Sequence, residues 1–277
     1  MTADSLAPGH VFSQSSLAAL DRCPRRFHLQ YVRRLAWPAP LTGADVEWEE
    51  ALRRGQHFHL LVQQHRAGVD VEATVEALED AELQTWWAHY RRDAPAAPAR
   101  AVEYAEVEVT APVGAHVLVA KCDLVVCRDD GRVLIVDWKT GARAPDPVRQ
   151  AHSWQTVAYR YAVAEGGAGL LPGAREGAGV APENVELMYW HAAFPGATHT
   201  IPYGEAEHEE ARRRLEGAVA RVEALGLNEE EYARTDQLDE CRRCGYRSYC
   251  DRGRDGAAAE WDDEGDELDL WNPPELD

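Results

Sequence analysis

Residues 133–136, Val-Leu-Ile-Val, form an apolar run with no polar alternation. A strand of that kind is buried on both faces, so layers must cover it from both sides. This requirement excludes a one-sided antiparallel sheet and predicts a layered α/β fold. A second β-rich run, 116–127, precedes it and is joined to it by Asp129-Asp130-Gly131, a hairpin signal. With a three-residue loop at 129–131, Asp123 falls opposite Asp137 and Lys121 opposite Lys139. Strict alternation would place all four on one face, with Cys122, Leu124 and Val136 on the other. Two carboxylates gathered with ammonium groups beside an apolar sheet are costly unless a cation or substrate compensates. The carboxylates suit a hard divalent cation, Mg²⁺ or Mn²⁺. Of 29 basic side chains only two, Lys121 and Lys139, are lysine. An arginine's broad, permanently charged fork suits neither proton handling nor a compact point contact, so lysine at 139 is chemically sensible.

The rest of the chain is organised around this hairpin. Ser13 is placed to cap a short helix carrying Leu17 and Leu20, which Pro24 interrupts, and a further helical stretch covers 25–34. Residues 45–66 and 71–92 read as two more helices, and a strand is expected at 102–110. A helix over 148–164, a glycine-rich loop at 166–179, strands at 185–191 and 198–202, and a long charged helix over 205–225 complete the body. Glu103, Glu106 and Glu108 share one short run before the hairpin, which leaves open which of them, if any, belongs to a site.

The net charge of -19 argues against coating nucleic acid by bulk attraction, so any contact must be local. Residues 255–277 contain ten of the 48 acidic side chains and none of the 29 basic ones, leaving 38 against 29, or -9, for residues 1–254. That tail is too acidic to build core and is expected to be disordered. No apolar stretch approaches a membrane span and no basic-then-apolar leader is present, so a soluble, cytoplasmic protein is expected.

Asp123 followed by Asp137-Trp138-Lys139-Thr140-Gly141 resembles the D…(D/E)-x-K core of the PD-(D/E)XK nucleases, in particular the RecB-type branch. The segment Arg54-Gly55-Gln56-His57-Phe58-His59 is similar to that branch's G-x-x-(hydrophobic)-His element, with His59 as the metal ligand. Gln155 and Tyr159 match its Q-x-x-x-Y element, and residues 12–31 resemble its opening S-x-S-x-L…C-P-x-x-F…Y segment. The resemblance implies a restriction-endonuclease-like core, a central mixed sheet flanked by helices, with a helical insertion at about 43–100 within a nuclease domain of residues 1–254. It also implies metal-dependent hydrolysis of DNA phosphodiester bonds. His59, Asp123, Asp137 and the Trp138 carbonyl would hold the metal, and Asp123, Asp137, Lys139, Gln155 and Tyr159 would stand at the reaction.

Cys241-x2-Cys244-x5-Cys250, with Cys23 more than two hundred residues earlier, is not a pair of Cys-x-x-Cys knuckles. The arrangement resembles the iron-staple nucleases, the AddB type and the CRISPR spacer-acquisition exonucleases, where four such cysteines hold a 4Fe-4S cluster. Zinc is the alternative occupant. Cys122 and Cys127 lack the spacing and read as buried small hydrophobes. A staple would close a very long loop and gather arginines into a phosphate-binding track. Arg22, Arg25 and Arg26 would come from one side, and Arg242, Arg243, Arg247, Arg252 and Arg254 from the other. The expected substrate is single-stranded DNA or DNA ends, in repair, recombination or CRISPR adaptation. No Walker A motif is present, so a helicase would be a separate partner chain. The resemblance also implies a CRISPR integrase as an alternative partner. The rival reading is a non-catalytic DNA-end-binding or scaffold subunit.

Overall fold

The structure, a computed structural model, describes residues 6–35, 43–171, 179–242 and 244–252. The acidic tail, Arg243, Arg254 and the glycine-loop positions 172–178 lie outside the described residues. The chain opens with strand β1 (Val11–Ser13) and helices α1 (Gln14–Arg22) and α2 (Pro24–Phe27), followed by a π-helical turn, His28–Val32. Helices α3 (Gly43–Arg66), α4 (Glu72–Ala77) and α5 (Ala81–Asp93) form a helical excursion. Strands β2 (Val102–Val113), β3 (His116–Cys127) and β4 (Val133–Lys139) follow, then α6 (Pro147–Ala151) and α7 (Trp154–Gly166). Strands β5 (Val185–His191) and β6 (His199–Ile201), helix α8 (Glu205–Leu225) and the short α9 (Leu238–Arg242) close the described chain.

Local chemistry explains most boundaries. Ser13 caps α1 in a reciprocal box with Ser16. The helix expected over 71–92 breaks into two because Asp80 caps a new start, accepting from Leu83 N. The helix expected at 148–164 divides for the same reason, with Asp146 capping α6 and Ser153 capping α7. Strand β1, three residues long, carries too little pattern to be read from sequence.

The six-stranded mixed sheet runs β1-β3-β4-β5-β6, with β2 on the other edge of β3. As the unbroken apolar run requires, β4 is buried on both faces. One face packs against α1, α7 and α8 through Phe12, Leu17, Ile135, Ala158 and Leu215. The other packs beneath α3 and α5 through Phe58, Trp86, Val136, Trp138 and Trp190. Cys122 and Cys127 are both fully buried in the first layer.

The β3–β4 register is the one the hairpin predicts, with Leu124 opposite Val136, but pairing stops there. On that edge of β3, β1 pairs only with 117–119 and β4 only with 124–127, which leaves a fork at 120–123. The β2–β3 ladder also skips one position, between Ala105↔Leu124 and Val107↔Cys122. The skipped residues are Glu106, whose φ is 51°, and Asp123. Alternation changes phase across this break. Cys122 and Val125 share the α7 layer, whereas Leu124 and Val126 lie in the α3 layer. The single-face expectation is therefore corrected: Asp137 and Lys139 turn toward α7, Lys121 joins Glu106 near α3, and Asp123 sits in the fork between them.

Candidate active site

At the fork, Asp123 does the work of a missing ladder partner. Its Oδ2 accepts from the Trp138 N–H at 2.8 Å, where the two strands have parted. Its Oδ1 lies 3.3 Å from His59 Nδ1, and Glu106 Oε1 lies 3.9 Å from the same nitrogen. Burial alone would raise the Asp123 carboxyl's pKa. The opposing pull of His59, the Trp138 N–H and Lys139 holds it below the ordinary carboxylate value.

His59 reaches this point because α3 is clamped onto the sheet. Phe58, next in sequence, stacks on Trp190 with centroids 5.9 Å apart and meets Trp86 edge-on. Gly55, one turn earlier, lies so close to the end of β4 that a Cβ there would stand 2.8 Å from Thr140 Oγ1. His57, by contrast, is exposed.

On the α7 side a closed polar ring forms. Lys139 Nζ lies 2.8 Å from Asp137 Oδ2 and donates to Gln155 Oε1 at 2.7 Å. Gln155 Nε2 donates to Asp137 Oδ1 at 2.7 Å and reaches the Tyr159 hydroxyl at 3.3 Å. Thr156 and Tyr189 hydroxyls are 2.7 Å apart, and Tyr189 donates to Gln155 Oε1 at 3.4 Å. Asp137 is 2% exposed and Lys139 12%, so this charge pair is sheltered from screening. Burial, with Asp137 and Asp123 nearby, pushes the Tyr159 phenol well above its ordinary value, and burial lifts Tyr189 to about 12. Both tyrosines therefore stay neutral and act as hydrogen-bonding groups.

Sequence reasoning left three glutamates undecided. Glu103 is paired with Arg66 at 2.9 Å and Glu108 is exposed. Glu106 is the one at the site, and among the described residues His59, Glu106 and Asp123 form a triad whose donor atoms all lie within 4.8 Å of one another. The signal was present. Gly114, with φ 60°, and Ala115 form a two-residue hairpin loop, and its register sets Glu106 opposite Asp123.

Cys23, Cys241, Cys244 and Cys250 line one cavity, with Arg22, Arg26, Arg234, Arg247 and Arg252 also on its walls. Arg252 Nη1 lies 3.1 Å from Cys241 Sγ, and Arg234 Nη1 donates to the Cys250 carbonyl at 2.9 Å. Burial raises the Cys244 and Cys250 thiols, with Arg26 opposing at Cys244. Among the described residues, no three of these sulphurs lie within 4.8 Å of one another. Arg25 departs from the expected track. Its guanidinium is 2.5 Å from Glu229 and donates to the Tyr232 carbonyl, bracing α2 against the chain after α8. Arg242 ends α9, and Arg243 lies outside the described residues. Sequence reasoning missed Arg234, which no cysteine neighbours in the chain.

The sequence profile of the PD-(D/E)XK nuclease superfamily matches residues 11–251. No curated protein matches the chain. Among solved structures, one from Eubacterium rectale named "Putative exonuclease" is similar at a TM-score of 0.51 and 15% identity, covering 84% of this chain and 87% of that one. The structure of SSO0001 is similar at 14% identity over 88% of this chain and 87% of that one, with a TM-score of 0.36.

Proposed function

Because the chain belongs to the PD-(D/E)XK nuclease superfamily, we propose that it is a metal-dependent deoxyribonuclease of the RecB type, an exonuclease acting on single-stranded DNA or DNA ends. The observation that carries this reading is the ring of Asp137, Gln155 and Lys139 standing beside the His59–Glu106–Asp123 triad. One imidazole nitrogen and carboxylate oxygens are a donor set that fits Mg²⁺ or Mn²⁺. His59 and Asp123, with Asp137 and the Trp138 carbonyl, would hold the ion; when bound, it supplies Lewis acidity toward a phosphodiester oxygen.

The chain's own residues supply the rest. Lys139, fixed by two acceptors, presents a compact positive charge where the attacking water and the phosphate meet. Gln155 acts as the spacer that ties Lys139 to Asp137, donating to one and accepting from the other, and Tyr159 and Tyr189 hold its amide in place. The Asp123–Trp138 hydrogen bond keeps the fork at a fixed opening.

The four cysteines are read as ligands of a 4Fe-4S cluster. What supports this is their common cavity, fed by two segments far apart in the chain. Arg22, Arg26 and Arg247, with Arg242 and Arg243 nearby in sequence, would give the DNA strand its phosphate contacts. The resemblance to AddB-type and CRISPR-associated nucleases points to repair, recombination or spacer acquisition, alongside a separate helicase or integrase chain.

The test is direct. Purified anaerobically, the protein should be brown and should degrade end-labelled single-stranded DNA with Mn²⁺, while Asp137→Ala should lose at least about a hundredfold in rate. Equal cleavage by the two proteins would sink the catalytic assignment and leave a DNA-holding scaffold.

A further inference from the structure

We infer that Glu106 is a further carboxylate ligand of the cation held by His59 and Asp123, and that Lys121 is a positioning residue that grips Glu106 and competes with the cation for it. The inference rests on the metal-dependent reading above and deepens it. Lys121 Nζ lies 3.0 Å from Glu106 Oε2, while Glu106 Oε1 is turned toward His59 Nδ1 at 3.9 Å. One carboxylate is thus shared between a resident ammonium and the metal cradle. The Lys121 side chain is 52% exposed and Glu106 18%, so the ammonium can swing into solvent while the carboxylate stays at the site.

The backbone supports the same assignment. Among the described residues the non-glycines with positive φ are Arg34, Arg100, Glu106 and Asp251, and Glu106 alone lies inside a strand. The register already sets Glu106 opposite Asp123, and the left-handed residue there costs the ladder that pair. A surface ion pair on an unbroken strand would need no such kink. The pairing also gives the second of the chain's two lysines a role the sequence alone did not supply.

Competition predicts opposite signs from the two halves of one ion pair. Mn²⁺ titrations of the full chain, read by the free-ion EPR signal, should show Glu106→Gln binding roughly 10- to 100-fold more weakly than wild type. Lys121→Met should bind about threefold more tightly or better, because a positive charge facing the same carboxylate is gone. In Glu106→Gln/Lys121→Met the second substitution should no longer tighten binding. Near-UV circular dichroism establishes that each variant is folded. Asp123→Ala separates the two levels of the argument. Unchanged binding in Asp123→Ala would overturn the metal reading itself. Binding lost in Asp123→Ala but retained in Glu106→Gln would overturn this inference alone. Unchanged or weakened binding in Lys121→Met would also overturn it, since a merely structural ion pair loses or keeps its effect whichever partner is removed.

Discussion

Lys139 sits in a slot that admits one shape of cation. Its Nζ touches Asp137 and Gln155, both held by further hydrogen bonds, and the Tyr189 ring closes over it at 5.3 Å. A guanidinium there would have to displace the Gln155 amide or lift out of the ring. Lys139→Arg should therefore lower the cleavage rate by roughly a hundredfold or more while Mn²⁺ affinity stays within about threefold. Retention of a third of the wild-type rate would show that the ammonium's shape is irrelevant. Gln155→Glu should be nearly as damaging, because it sets an acceptor against Asp137 Oδ1 where a donor stands now. Asp123, Asp137 and Lys139 could be gathered from the hairpin's register, while His59, Gln155 and Tyr159 entered through the family resemblance. Glu106 could have been selected by the Gly114-Ala115 turn, whose register sets it opposite Asp123. The true facing of Lys121 was not legible, because it depends on a coincident kink in two strands and strict alternation assumes there is none.

Among the elements, the helical excursion was recognisable as helices, and its internal break is encoded by Asp80 rather than by proline or glycine. Asp80 caps α5 and also receives Arg54 of α3 at 2.6 Å, so one carboxylate fixes how two helices meet above the sheet. Burial would raise the Asp80 pKa, but Arg54 and the Leu83 N–H outweigh it and hold the carboxyl below its ordinary value. Its stabilisation is present above the unfolded carboxylate pKa and fades as pH falls through the lower folded value. Asp80→Ala, which removes cap and ion pair together, should cost about 1–2 kcal/mol in urea unfolding at pH 7. Asp80→Asn keeps the cap and should cost less than half of that; equal losses would mean that the ion pair with Arg54 carries the whole effect.

On the scale of the whole molecule, the two ends of the described chain are clasped by ordinary contacts as well as by the proposed cluster. Arg25 reaches Glu229 and the Tyr232 carbonyl, Phe27 stacks on Tyr232 at 6.2 Å, His28 meets the Leu227 carbonyl at 3.2 Å and Tyr246 donates to Leu35 at 2.8 Å. Removing iron with a chelator should then leave the chain closed, with hydrogen-exchange protection lowered beside the cysteines but kept over 24–32 and in β3 and β4. Global loss of protection would mean that the cluster, and not this clasp, closes the chain. Acid should act more broadly than iron loss. Burial drives His10 down to about 4, helped by His116, and drives His191 to about 4, helped by His199 and Lys139. Both are neutral in the folded protein, so between pH 6.5 and 4 the unfolded chain binds more protons. The stabilisation is complete above pH 6.5 and is lost progressively as pH falls toward 4, with a slope of at most about 1.4 kcal/mol per pH unit for each histidine. His10 packs edge-on against Phe12 at 4.8 Å, away from the fork, so His10→Leu separates acid lability from catalysis. Urea unfolding at pH 7, 6 and 5 should show a shallower decline for His10→Leu than for wild type; parallel declines would place the acid sensitivity elsewhere.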